Sequence, residues 1–362
     1  MGFFSILLVY CGGNPAPNCG TIRISRTNNV NMRTVLIAAL ACASLSSAEN
    51  KKILAWGLQP DEVRELQEAA PGVTIVPVGT KELPVQVADA DAILGIIDPA
   101  LIRAGRKLRW VQVFSAGVET VISPELQNSP ITLTNAKIIQ GTNVSDHAFA
   151  LLLALTRELY RAIPSRAREE WDGSKYSSLE LAGKTAVVIG VGGLGTQIAQ
   201  RAHAFGMKVI GVDPRDVPLN MFLSKVVPPD RLDAVLPLAD VVFLSAPHTP
   251  ESEGIMGRRQ FELMKKGSYF IGISRGKLYD INALVKALDE KRLAGAGVDV
   301  TDPEPLPKGH PLWKFENVVI TPHVAGQSDT LQARRMELIK ENVRRFAAGE
   351  HLLNVVDKKK GY

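Results

Sequence analysis

Cysteine is nearly missing from this chain of 362 residues: there are three, Cys11, Cys19 and Cys42, and none follows residue 50. Beyond that point there is no disulfide, no thiolate nucleophile and no cysteine-ligated zinc, and no metal site of this kind is expected. A basic stripe interleaved with aromatics is also missing. Aromatics make up 6% of the chain, and 42 Lys+Arg against 37 Asp+Glu leave a net charge of only +5, so nucleic acid is not an expected partner. The one dense basic run, Lys358-Lys359-Lys360, reads as a solvated tail. No apolar run is long enough to span a bilayer as a mature helix, and no membrane is expected in the mature form. What remains is the composition of an ordinary globular protein with length for two domains.

The stretch 185–213, TAVVIGVGGLGTQIAQRAHAFGMKVIGVD, carries the strongest signal. A short β-branched run reads as a strand buried on both faces. Gly190, Gly192, Gly193, Leu194 and Gly195 follow at once, then a helical pattern that stops at Gly206, then a second apolar strand ending on Asp213. Strand, G-x-G-x-x-G, helix, strand and acid is the order that a dinucleotide site requires. Gly190 permits the tight turn, Gly192 lets the backbone approach a pyrophosphate, and Gly195 lets the helix lie close to the sheet. The helix N-terminus offers N–H groups to the phosphates, and Asp213 is placed to accept hydrogen bonds from the adenosine ribose.

On either side the chain alternates strands and helices, which predicts parallel α/β architecture. Strands are expected near 53–56, 73–78, 92–97, 110–114 and 131–134, with helices over 60–69 and 99–104. A long apolar helix is expected over 144–160, with His147 on it as a packed or capped histidine. Past Asp213, strands at 241–244, 269–273, 294–298 and 318–320 are followed by polar residues, and an amphipathic helix over 328–348 returns to the smaller domain. Three successive strands thus deliver Arg275, Asp299 and His323 to one sheet edge, where ligands bind in open parallel sheets. Only His is poised near neutrality to both give and take the proton that accompanies a hydride. Glu304, on the Pro-stiffened loop before the last strand, can stabilise an imidazolium and fix its tautomer. Arg275 can hold a carboxylate in bidentate fashion and polarise a carbonyl.

The glycine loop, Ser274-Arg275-Gly276, Gly297-Val298-Asp299-Val300, Pro303-Glu304-Pro305-Leu306-Pro307 and Thr321-Pro322-His323-Val324-Ala325-Gly326 together resemble the D-isomer-specific 2-hydroxyacid dehydrogenases over about 51–350. The resemblance implies an NAD-binding, doubly wound Rossmann-like domain inserted into a smaller flavodoxin-like substrate domain, and a homodimer. It implies His323 as general acid/base, Glu304 as its partner and Arg275 as the substrate-orienting arginine. Ser115, Ala116, Gly117 and Val118 become the loop that holds the substrate carboxylate. Pro247, Thr249, Ile273 and Ser274 line the cofactor, and Asp299 contacts the nicotinamide carboxamide. Asp213 favours NAD over NADP, with Arg215 nearby. The interval from Glu304 to His323 is similar to that of glyoxylate and hydroxypyruvate reductases. A formate dehydrogenase would pair the histidine with Gln, and a phosphoglycerate dehydrogenase would continue into a regulatory domain. Gly272, Tyr279 and Thr301 depart from the family pattern. The alternative is a non-catalytic NAD(H)-sensing regulator of the same fold.

The expected division is a leader over 1–50, a substrate domain over 51–150 plus 326–350, an NAD-binding domain over 151–325 and a tail over 351–362. Within the leader, the basic start at Met32-Arg33, the apolar run 35–43 and small residues at Ser46 and Ala48 have the form of a signal peptide, 32–48. The cofactor argues for the cytoplasm, and export follows if translation starts at Met32.

Overall fold

Two parallel sheets organise the chain. The computed structural model describes residues 50–218 and 220–362; the expected signal segment 32–48 and the three cysteines lie outside the described residues. The first sheet comprises β1 (Lys51–Trp56), β2 (Val73–Val78), β3 (Ala92–Gly95), β4 (Trp110–Val113) and β5 (Thr132–Thr134), in the order β2-β1-β3-β4-β5. That is the flavodoxin-like order. The second comprises β6 (Thr185–Ile189), β7 (Lys208–Val212), β8 (Lys225–Val227), β9 (Val241–Leu244), β10 (Ser268–Gly272), β11 (Leu293–Val298) and β12 (Val318–Ile320). Its order is β12-β11-β10-β9-β6-β7-β8. Succession reverses between β6 and β9, which makes that point the switch at which doubly wound sheets bind ligands.

The strands form because short runs such as Val241-Val242-Phe243-Leu244 are apolar on every residue, and all four are buried. The helix Leu331–Ala348 comes after the second sheet yet packs Met336, Ile339 and Val343 among Ile53, Ala55, Leu66 and Trp110 of the first. The chain therefore leaves the five-stranded lobe, builds the seven-stranded one and returns.

The helix expected over 144–160 runs from Gly141 to Thr156 instead. Glu158 takes a left-handed conformation, φ 54°, and breaks the continuous apolar pattern into a second helix, Leu159–Ala167, none of whose residues is buried. Val144, Ala148, Phe149, Leu151, Leu152 and Leu155 pack with Val188, Phe243 and Ile271, so this helix covers the seven-stranded sheet. Position 150 falls inside it.

The C-terminal segment is not a solvated tail. Val356 is buried, its N–H bonds to the carbonyl of Leu133, and Val355 bridges Thr134 in antiparallel fashion. Lys358 Nζ donates to the carbonyls of Ser129 and Ile131 at 2.7 and 2.8 Å, and burial pushes its ammonium below the ordinary range. A charge count could not anticipate this, because the edge of β5 and the residues just before it supply the partners.

Candidate active site

The glycine turn between β6 and the helix Gly193–Ala204 is shaped by close contacts. Gly190 has φ 89°, and a side chain there would lie 2.5 Å from the backbone of Ala246. At Gly195 a Cβ would meet the carbonyl oxygen of Gly190 at 1.9 Å, so the helix can approach the strand only through glycine. Over Gly192 the space is open: the one atom within 4 Å of a Cβ there is Nη2 of Arg215, at 3.8 Å. The first N–H groups of this helix, at Gly193, Leu194 and Gly195, precede any intrahelical acceptor. An open cradle at a helix N-terminus fits a pyrophosphate.

Asp213 follows β7 and is buried, with both carboxylate oxygens engaged. Oδ2 accepts from the Val191 N–H at 2.8 Å, and Oδ1 accepts from the Arg215 N–H and Nε at 3.0 and 2.9 Å. Burial pushes this carboxyl up, but the Arg215 and Val191 bonds outweigh it and hold it below the ordinary aspartate value. Around the rim, Thr249 is buried and bonds Ser252, Pro247 is exposed, and Ser274 Oγ donates to the Leu244 carbonyl at 3.1 Å. The Ile273 side chain is core, packed with Val188 and Phe243.

Adjacent strands β10, β11 and β12 carry Arg275, Asp299 and His323 just past their carboxyl ends. His323 has φ 52°, a conformation that non-glycine residues adopt at a cost and that clusters at functional sites. Its Nδ1 lies 2.6 Å from Oε1 of Glu304. A carboxylate can only accept, so Nδ1 carries the hydrogen and Nε2 is left for another partner. Tyr279, a departure from the family pattern, is buried; its hydroxyl donates to the Val300 carbonyl at 2.6 Å, on the segment leading to Glu304. Burial pushes its phenol well above the ordinary value.

Arg275 meets the 115–118 loop from the other lobe. A side chain on Gly117 would sit 2.1 Å from Arg275 Nη2, so the guanidinium lies directly against the loop backbone. Ser115 Oγ donates to the Gly117 carbonyl, Asn135 Nδ2 donates to the Ala116 carbonyl, and Val118 buries its side chain in the core. Arg275 also donates through Nε to Glu119 Oε1 at 2.5 Å. Burial pushes Glu119 up, yet the arginine prevails and holds the carboxyl below the ordinary glutamate range. Glu119 is not among the residues expected at the site; its place beside Gly117-Val118 is the one signal for it in the sequence.

The carboxylate of Asp299 is tied to the segment that follows β12. It accepts from Thr321 Oγ1 at 2.6 Å and from the N–H groups of Val324 and Ala325 at 2.9 Å each, and its own carbonyl accepts from the His323 N–H at 2.8 Å. Asp299 therefore holds the turn on which His323 sits.

A dinucleotide cradle, a histidine–carboxylate pair and an arginine at one sheet edge define a dinucleotide-dependent oxidoreductase. The chain belongs to the D-isomer-specific 2-hydroxyacid dehydrogenase family, which acts on CH–OH donors: residues 149–325 match the family model described as D-isomer specific 2-hydroxyacid dehydrogenase, NAD binding domain. The chain is 32% identical over 307 residues to a D-3-phosphoglycerate dehydrogenase of Methanocaldococcus jannaschii, covering 83% of this chain and 58% of that protein. It is 33% identical over 292 residues to a glyoxylate reductase of Korarchaeum cryptofilum, covering 78% of this chain and 87% of the relative. A solved NADPH-dependent glyoxylate/hydroxypyruvate reductase from Sinorhizobium meliloti, in complex with NADP and sulfate, superposes with TM-score 0.73 at 26% identity, covering 87% of this chain and 100% of that one.

Proposed function

We propose that this protein reduces a small 2-oxo acid of the glyoxylate or hydroxypyruvate type to the D-2-hydroxy acid, using NADH. The observation that carries the reading is the 2.6 Å His323–Glu304 pair on the same sheet edge as Arg275. The bound nicotinamide supplies the hydride. The backbone of Ser115, Ala116, Gly117 and Val118 and the guanidinium of Arg275 hold the substrate carboxylate, and Arg275 polarises the carbonyl. His323 holds a proton at Nε2 and passes it to the carbonyl oxygen as C2 accepts hydride, while Glu304 at Nδ1 stabilises the cationic ring. The imidazole is then neutral, and water reaches its half-exposed ring to restore the proton. Purified protein with NADH and a panel of glyoxylate, hydroxypyruvate and pyruvate should show loss of the NADH absorbance. Cofactor binding with no turnover on the whole panel would favour the NAD(H)-sensing alternative, which none of the relatives described above supports.

NAD is the proposed cofactor, because a 2′-phosphate would approach the Asp213 carboxylate. Arg215, paired to that carboxylate, is the competing influence. Asp213→Ala should weaken NADH binding by about tenfold or more, the size of one hydrogen bond to a charged group. Freed Arg215 should leave NADPH affinity equal or improved. Equal losses of both cofactors in fluorescence titration would mean that Asp213 does not contact the ribose.

The assembly is proposed as a homodimer. Its support in this chain is the helix Leu159–Ala167, which has no buried residue, and the fully exposed Trp171 that follows it, a large apolar side chain of the kind interfaces cover. Sedimentation equilibrium should give twice the chain mass, and a monomer mass at micromolar concentration would overturn this.

A further inference from the structure

We propose that His147 is a positioning residue of this site: through Thr321 it fixes Asp299, and through Asp299 the turn that presents His323 and the edge that meets the nicotinamide. The inference rests on the proposed cofactor site and adds a residue to it.

The placement of His147 follows from register. The helix Gly141–Thr156 lies on β11 at two glycines. A Cβ on Gly295 would be 3.1 Å from Leu155 Cδ2, and one on Gly297 would be 2.7 Å from Leu151 Cβ. Four helical residues advance about 6 Å and two strand residues about 6.6 Å, so the two elements stay in step when they run antiparallel. Leu155 meets Gly295, Leu151 meets Gly297, and the next pair in the series is His147 with Asp299. The pattern H-x-x-x-L-x-x-x-L against G-x-G-x-D thus delivers the imidazole to the carboxyl end of β11. There His147 Nε2 lies 2.8 Å from Thr321 Oγ1 and 3.5 Å from Asp299 Oδ1.

The proton directions are determined. The Thr321 hydroxyl has one hydrogen, and the Asp299 carboxylate, 2.6 Å away, can only accept it. Thr321 must therefore accept from His147, whose Nε2 carries a hydrogen. The chain His147 N–H to Thr321 O–H to Asp299 Oδ1 closes on the carboxylate that also receives Val324 and Ala325. Asp299 is 2% exposed, so water does not replace these donors.

The test compares NADH with ADP-ribose, which lacks the nicotinamide, titrated by fluorescence against wild type, His147→Ala, His147→Gln and Thr321→Val. His147→Ala should weaken NADH about tenfold, the worth of one hydrogen bond, while ADP-ribose affinity stays at the wild-type value. Thr321→Val should match it, and His147→Gln, whose side-chain amide can donate, should recover most of the loss. In turnover, kcat should fall by about tenfold with little change in KM for the 2-oxo acid. Equal loss of NADH and ADP-ribose, no loss at all, or Gln no better than Ala at unchanged melting temperature would each overturn the role. Wild-type protein that binds NADH but reduces no 2-oxo acid would refute the proposed function, while the titrations still decide the role of His147.

Discussion

Alanine at position 323 is expected to lower kcat for NADH-dependent 2-oxo acid reduction by about 10²- to 10⁴-fold, the contribution of a positioned acid–base group. The other groups gathered at the ends of β10 to β12 do not replace it. Arg275 can bind and orient through its guanidinium, but a guanidinium is not a proton-transfer group. The Asp299 oxygens are committed to Thr321, Val324 and Ala325. Glu304 bonds Nδ1 of the histidine and thereby orients the ring, leaving Nε2 for the substrate. Because the ring is half-exposed and outside the core, the variant should keep its melting temperature and its NADH affinity. Steady-state assays following NADH absorbance, paired with cofactor titration, separate the outcomes. Turnover at the wild-type rate would sink the mechanism, and loss of NADH binding along with turnover would mean that the side chain supports the fold only.

Arg275→Ala is expected to reduce kcat/KM by about 10²- to 10³-fold. Two charge-assisted hydrogen bonds to a carboxylate contribute about 1.5–3 kcal/mol each, and tenfold in rate corresponds to 1.36 kcal/mol. Part is offset because substrate displaces Arg275 from contacts that it already has. In the free protein its Nε donates to Glu119 and its Nη1 to the Ser274 carbonyl. Loss of carboxylate binding should raise KM and loss of carbonyl polarisation should lower kcat, so both parameters move. Arg275→Lys should recover little, because an ammonium lacks the planar fork. An unchanged kcat/KM would remove Arg275 from the site.

The same substitution has a pH signature through Glu119. With its carboxyl held low by Arg275, that group stabilises the fold above the ordinary glutamate value and loses the contribution as pH falls through its depressed value. The Ala variant should therefore melt below wild type at neutral pH, with the gap closing under acid. A gap that widens as pH falls would mean that the ion pair is not its cause.

Most of the fold could be read in advance because its signals are local. A buried parallel strand is a short apolar run, and the run from Val241 to Leu244 shows it whatever surrounds it. The helix through His147 ends at Thr156, short of the 160 that the pattern predicts, for the opposite reason: Leu159 continues the apolar pattern, and only the left-handed backbone at Glu158 stops the helix. Lys358 departs from the solvent that its charge suggests because the segment leading into β5 offers it two carbonyls, those of Ser129 and Ile131.

By itself the sequence determined the glycine turn after β6, since the close approach of helix to strand is made by contiguous backbone and the glycine spacing writes that geometry into six adjacent residues. It also determined which residues end the strands, and with them the positions of Arg275, Asp299 and His323. Only the tertiary structure decided what those residues touch. Arg275 meets Glu119 from 156 positions away, and His147 meets Thr321 across 174. Such pairs leave no period in the chain, because they depend on how one lobe faces the other and on two glycines that let a helix settle onto a strand.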